Sequence, residues 1–235
     1  MNKLILVTGG SKGIGRAIVE KFMKEGFDAV ICSRKATELR SLADHLENIY
    51  SGCRCYYHPA DVSKPEEITG LLNFVAGLGR SIDVLVNNAG YFVPGTIADE
   101  PPGTLENMMQ ANLYSAYHVT RGILPSMKEN RNGHIFNMCS VASIKAYPNG
   151  GSYAITKFAL LGFSRCLREE LKEWGIRVTA VLPGATRTAS WDGVNLPDER
   201  FMKSEDVAEM VYAAWSLSAR SVVEEILIRP QMGDI

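Results

Sequence analysis

The run Leu4-Ile5-Leu6-Val7-Thr8-Gly9-Gly10-Ser11-Lys12-Gly13-Ile14-Gly15 decides the fold. Its four leading apolar residues read as a strand, its glycines as a sharp turn, and the apolar spacing of Gly15–Lys24 as a helix. A strand, a glycine turn and a helix in that order aim backbone N–H groups at one point, which suits a phosphate. The spacing Gly9-x-x-x-Gly13-x-Gly15 departs from the general G-x-G-x-x-G fingerprint, so the turn alone does not name its ligand. Gly10 and Gly15 also have P-loop spacing. Arg16 and Ala17, however, stand where a P-loop needs Lys and then Ser or Thr, and nucleotide hydrolysis is set aside.

Outward from this stretch the alternation repeats. Apolar runs at Leu4–Val7, Ala29–Cys32, Val84–Val86, His134–Asn137, Val178–Leu182 and Glu225–Ile228, with a weaker one at Arg54–His58, give seven expected strands. Between them Gly15–Lys24, Ala36–Asn48, Pro65–Gly77, Leu105–Met127, Tyr153–Trp174 and Ser204–Leu217 carry apolar residues at helical intervals. Parallel strands require crossovers, so this order predicts a doubly wound, Rossmann-type α/β sandwich of three layers around a seven-stranded parallel sheet. No linker or repeat interrupts it, and residues 1–235 are expected to form a single domain.

Composition narrows the partners. Lys and Arg number 25 against 26 acids, so the net charge of −1 offers no footprint for nucleic acid or anionic lipid. No apolar stretch approaches the roughly 18 residues of a membrane helix. Cys32, Cys53, Cys55, Cys139 and Cys166 lack C-x-x-C spacing and are expected as buried thiols. Their odd number, and an N-terminus that runs straight into a strand, point to a cytoplasmic setting. The four histidines lack metal-ligand spacing, and no metal is expected.

About twenty residues past the glycine turn an NAD enzyme presents an Asp or Glu to the ribose 2′-hydroxyl. This chain offers Ser33 and Arg34. A carboxylate there would repel a 2′-phosphate, whereas Arg34 can fork onto it, with Ser33 and Lys12 as further donors. The expected cofactor is NADP(H).

Tyr153 and Lys157 stand four apart in a helical pattern and share one face. A nearby ammonium favours the phenolate, so Lys157 is expected to bring the Tyr153 phenol down toward a useful range. Ser140 lies just after the strand His134–Asn137, at the end of a parallel strand that opens into a ligand crevice, where its hydroxyl could donate to a substrate oxygen.

The Thr8–Gly15 turn, Asp61-Val62, Asn87-Asn88-Ala89-Gly90, Asn112, Ser140, Tyr153-x-x-x-Lys157 and Pro183-Gly184 with Thr188 occur in order over nearly the whole chain. Together they resemble the classical short-chain dehydrogenase/reductase family. The resemblance implies a catalytic tetrad of Asn112, Ser140, Tyr153 and Lys157. In it Tyr153 protonates the substrate oxygen, Ser140 polarises it, Lys157 holds the nicotinamide ribose and Asn112 fixes a water that resupplies the proton. It also implies cofactor contacts from Gly9, Ser11, Lys12, Gly13, Ile14, Gly15, Ser33, Arg34, Asp61, Val62, Asn88, Ala89, Gly90, Tyr153, Lys157, Pro183, Gly184, Thr186 and Thr188. Cys139 and Thr186 depart from residues common in the family, and neither departure removes a reacting group.

Substrate choice is expected from the loops Tyr91–Thr96, Val141–Gly151 and Ala189–Met202, with Tyr91, Phe92, Tyr147 and Trp191 as an apolar wall for a small carbonyl compound. Family likeness implies a homodimer or homotetramer that pairs the Leu105–Met127 and Tyr153–Trp174 helices. A non-catalytic NADP-sensing regulatory protein is the alternative function, and it has no need of a tuned phenol.

Overall fold

The computed structural model describes residues 1–191, 193 and 195–235. Seven strands alternate with helices: β1 (Leu4–Thr8), α1 (Gly13–Lys24), β2 (Asp28–Ser33), α2 (Ala36–Ile49), β3 (Cys55–Pro59), α3 (Pro65–Gly77) and β4 (Val84–Asn87). Then follow α4 (Thr104–Met109), α5 (Ser115–Asn130), β5 (Gly133–Met138), α6 (Gly151–Leu171), β6 (Ile176–Pro183), α7 (Ser204–Ser216) and β7 (Glu225–Ile228). All the strands pair in parallel, in the order β3-β2-β1-β4-β5-β6-β7.

Strand periodicity sorts the core into two layers. Ile5, Val7, Ala29, Ile31, Val84 and Val86 point toward α1, α2 and α7. Leu4, Leu6, Val30, Cys32 and Leu85 point toward α3, α5 and the end of α6. With both faces covered, a one-residue slip of β1 would exchange its two apolar sets, and the register is therefore firmly set. The strand order reverses between β1 and β4, and this opens a crevice beyond the carboxyl ends of the strands.

Polar residues lock the far layer beneath that crevice. Asn87 Nδ2 donates to Thr120 Oγ1 (2.9 Å) and Asn137 Oδ1 (2.8 Å), and Asn137 Nδ2 donates to Ser164 Oγ (2.9 Å). These buried bonds tie β4 and β5 to α5 and to α6, the helix that carries Tyr153 and Lys157.

Three expectations need correction. The continuous helix Leu105–Met127 is broken by a π turn at Gln110–Tyr114, where the Ser115 hydroxyl takes up the Ala111 carbonyl at 2.5 Å. The helix expected at Tyr153–Trp174 starts two residues earlier, at Gly151, and tightens to a 3₁₀ turn at Lys172–Trp174. Cys166 is exposed, because its place on α6 faces away from the sheet, while the other four thiols are buried. Among the described residues no helix is long and apolar enough to cross a membrane.

Candidate active site

The glycine turn is shaped by close approach. Gly9 and Gly13 have φ of +65° and +53°, which side chains rarely adopt. A Cβ on Gly15 would overlap the Gly9 carbonyl oxygen and Asn88 Nδ2, so only glycine lets α1 start this close to the turn. Asn88 braces the turn by donating to Thr8 O (3.0 Å) and Gly9 O (3.1 Å), and the Thr8 hydroxyl accepts from Asn88 N and Ala89 N, each at 3.1 Å. Asn88 thus acts on the turn's backbone, and Thr8, expected only as the start of the glycine turn, supports it through its hydroxyl. The first-turn N–H groups at Gly13, Ile14 and Gly15 remain without i−4 partners, next to Ser11 and Lys12.

At the end of β2 the charges gather on the surface. Arg34 is exposed and has no hydrogen bond or ion pair among the described residues. Lys12 and Lys35 converge on one carboxylate, with Lys12 Nζ 3.2 Å from Glu38 Oε2 and Lys35 Nζ 3.0 Å from Glu38 Oε1. The Ser33 hydroxyl is buried without a hydrogen-bond partner among the described residues. Asp61 accepts from the Ser63 hydroxyl (2.7 Å) and backbone N (3.0 Å). Burial pushes its carboxyl up, but the Ser63 bonds, then Arg34 and Lys64, outweigh burial and hold it below the usual range. Val62 beside it is buried.

The reactive groups meet where β5 ends. Ser140 opens a 3₁₀ turn, and its Oγ accepts from Ala142 N (3.1 Å), which leaves the hydroxyl proton free to be given away. Lys157 is 6% exposed; its Nζ lies 5.6 Å from the Tyr153 ring centre and donates to Met138 O at 2.7 Å. A Cβ on Gly90 would stand 2.8 Å from Asn112 Oδ1 and 3.9 Å from Lys157 Nζ, which puts the Asn87–Gly90 stretch against both.

Electrostatics here differs from the sequence expectation. Burial raises the Tyr153 phenol above its ordinary value, and a hydrogen bond from Ser140 pulls the other way. Lys157, itself buried, falls to about 8. Desolvation governs both groups, and the phenol stays protonated at neutral pH, the form a proton donor requires.

Asn112 also differs from its expected part. Its Nδ2 donates to both Tyr91 O (3.0 Å) and Thr156 Oγ1 (3.0 Å), and its Oδ1 accepts from Tyr91 N (2.9 Å). With both amide protons committed, the side chain fastens the Tyr91 backbone to α6, and a water could be held only by a remaining lone pair or by the main chain of the π turn. Thr156 gave no sequence signal, because its partner lies 44 residues away.

The remaining predicted contacts line the rim. Thr188 packs over the turn, since a Cβ on Gly13 would be 3.0 Å from Thr188 Cγ2. Pro183 ends β6, Gly184 lies against the Pro230 ring and the Arg229 backbone, and the Thr186 side chain turns inward to donate to Gly184 O (3.1 Å). Of the apolar wall, Phe92 packs edge-on against Tyr153 with ring centres 5.0 Å apart. Tyr91 and Tyr147 are both exposed at the rim. Trp191 packs instead against Phe201, with ring centres 5.2 Å apart. Asp192 and Val194, within the expected substrate segment Ala189–Met202, lie outside the described residues.

Comparison with known proteins settles the family. A family model described as short chain dehydrogenase matches residues 3–198. The chain belongs to the short-chain dehydrogenase family. Within it, a sepiapterin reductase of Chlorobaculum tepidum is 34% identical over 245 residues, covering 100% of this chain and 99% of that protein. An alcohol dehydrogenase from the archaeon Thermococcus sibiricus, complexed with 5-hydroxy-NADP, superposes with a TM-score of 0.92 at 27% identity, covering 98% of this chain and 97% of that one. An L-sorbose reductase of Gluconobacter frateurii, complexed with NADPH and L-sorbose, gives 0.91 at 27% identity, covering 98% and 96%. As a short-chain dehydrogenase the chain is an oxidoreductase, and its seven-stranded sheet is that of the family.

Proposed function

We propose that this short-chain dehydrogenase is an NADP(H)-dependent reductase of small ketones or aldehydes with an apolar or aromatic face. The observation that carries the reading is the meeting of Ser140, Tyr153 and Lys157 at the end of β5, beside a glycine turn that only a closely approaching backbone or ligand explains. The residues fit the cofactor. The Gly9–Gly15 cradle takes the pyrophosphate, the unpartnered Ser33 hydroxyl and the free Arg34 take the 2′-phosphate, and the carboxylate of an NAD enzyme is absent from the end of β2. NADP-bound relatives, the alcohol dehydrogenase and the sorbose reductase, support the same assignment.

When bound, NADPH supplies the hydride. Tyr153, held protonated by burial, donates its phenolic proton to the substrate oxygen, and Ser140 gives a second hydrogen bond to that oxygen as negative charge develops there. Lys157 spends one N–H on Met138 O and keeps two for the nicotinamide ribose and for the phenolate left behind. Its lowered pKa, about 8, equips it to resupply the proton near neutral pH. Asn112 and Thr156 hold the Tyr91 backbone against α6 and keep the pocket's aromatic lip in place. The whole chain, residues 1–235, acts as one unit.

The sorting experiment follows NADPH oxidation with diketones, aldehydes, ketoacyl thioesters and pterins, in wild type and Tyr153→Phe. Turnover of at least one carbonyl class, lost in the variant, is expected. Cofactor binding without any turnover would favour the sensor. Exposed Tyr114, Tyr117, Ile155 and Phe158 on the π turn, α5 and α6 support a homodimer or homotetramer through those helices, and the balanced charge is in keeping with a cytoplasmic enzyme.

A further inference from the structure

The catalytic helix α6 begins with no side-chain cap of its own. Its N-cap is Gly150, so nothing adjacent in sequence satisfies the orphan N–H groups of its first turn. Glu100, fifty-two residues before Ser152, does so: Oε1 accepts from Ser152 N at 2.9 Å, and Oε2 accepts from the Ser152 hydroxyl. Ser152 is 3% exposed and immediately precedes Tyr153.

The seat for this carboxylate is made of missing side chains. A Cβ on Gly151 would overlap Glu100 Oε1 and stand 2.7 Å from the Gly95 carbonyl oxygen, and a Cβ on Gly95 would stand 2.8 Å from Glu100 Cγ. Gly95 and Gly150 form a parallel bridge, and Gly95 N donates to Asn149 O at 3.1 Å. On the acid's side the chain is wound into a short turn, with Glu100 N donating to Thr96 O (3.0 Å) and Thr96 Oγ1 to Asp99 Oδ2 (2.6 Å). The segment that presents Glu100 also carries Tyr91, bound through both backbone groups to Asn112, and Phe92, packed on the Tyr153 ring.

We propose that Glu100 is a positioning residue for carbonyl reduction: by capping α6 through Ser152 it fixes the Tyr153 phenol and the Phe92 lip of the pocket as one rigid unit. This rests on the proposed reductase reading. A carboxylate is suited to the task, because it accepts two hydrogen bonds at once and sits at the positive end of the α6 dipole. Loss of the clamp leaves the phenol on its helix but frees the lip and the first turn to move, and small misplacements of a reacting group are costly in rate.

The test compares Glu100→Ala, Glu100→Gln, Ser152→Ala and Tyr153→Phe, with NADPH and both an aromatic ketone and a small aliphatic one that wild type reduces. Glu100→Ala is expected to lower kcat about tenfold and to raise KM for the aromatic ketone more than for the aliphatic one. Its NADPH dissociation constant, read by fluorescence titration, should stay within about twofold, since neither Glu100 nor Ser152 is among the residues assigned to the cofactor. Glu100→Gln, whose amide oxygen still accepts from Ser152 N, should recover most of the lost kcat, and adding Ser152→Ala to Glu100→Ala should cost nothing further. A Glu100→Ala protein with wild-type kcat and a lower melting temperature would overturn the proposal, as would an NADPH affinity that falls in step with kcat. If Glu100→Ala does not fold, Ser152→Ala decides, with about a threefold loss of kcat expected and an unchanged kcat against it. Tyr153→Phe separates the two readings: wild-type turnover there defeats the reductase mechanism itself, whereas a dead Tyr153→Phe beside a fully active Glu100→Ala defeats only the role given to Glu100.

Discussion

The two ends of the crevice are built on opposite electrostatic plans. At the end of β2 the cations Lys12, Arg34 and Lys35 stand on the surface, and two of them share Glu38. At the end of β5 Lys157 is buried beneath Tyr153 and Gly90, with a carbonyl for its partner. Exposed charges attract a ligand weakly, over distance and subject to salt, whereas a desolvated charge alters the chemistry of its neighbours at a cost in stability. Under the proposed function, specificity for the cofactor falls to one end and reactivity to the other.

The largest test of that contrast removes the buried charge. Lys157→Met should lower kcat at least a hundredfold, of the order expected for loss of an acid–base partner. It should also stabilise the cofactor-free protein at pH 7 by on the order of 2 kcal/mol, the desolvation relieved less the Met138 carbonyl left unpaired. The sign with pH follows from the lowered pKa. Below about 8 the folded and unfolded chains both hold the proton, and the folded protein bears the full cost of burying it. From there to 10.5 the unfolded chain holds more protons, so wild-type stability rises with pH and the gap to Lys157→Met closes. Urea unfolding at pH 7 and 9.5 measures this, and a gap that does not change with pH would place the ammonium in water.

Arg34→Asp works at the other end. NADPH should lose about 10- to 100-fold in KM while NADH changes by less than about threefold, as befits a charged hydrogen bond to a group that only NADPH carries. Equal losses for both cofactors would remove Arg34 from the 2′-phosphate. The smallest effect belongs to Glu38→Gln, which releases Lys12 and Lys35 from their present partner. KM for NADPH should fall about two- to threefold without change for NADH, and the gain should fade as salt rises from 50 to 500 mM. A weaker hold on NADPH would mean that Glu38 arranges the lysines for the cofactor instead of competing with it.

Much of this was legible in the chain because the signals are local. The apolar runs that became β1, β2 and β4 are buried on both faces, and the four-residue spacing of Tyr153 and Lys157 put both at one site. What escaped depends on residues far apart in sequence. The upward shift of Tyr153 comes from burial that no spacing reports, and Asn112 is claimed by Tyr91 and Thr156, 21 and 44 residues away. The π turn at Gln110–Tyr114 has the same apolar rhythm as the helices on either side, so periodicity passes straight through it. Cys166 misled for a related reason: a lone thiol carries no sign of which side of a long helix it will occupy.

The tight junction at Gly15 has a bearing on how such an enzyme changes over time. Because any side chain there would force α1 away from Gly9 and Asn88, redesign of cofactor choice has no room at that glycine and falls to Lys12, Ser33, Arg34 and Glu38. Those positions lie on open surface or at a strand tip, where substitutions are tolerated. An engineer seeking an NADH-using version would rewrite that rim and leave the hydride-handling half as it stands.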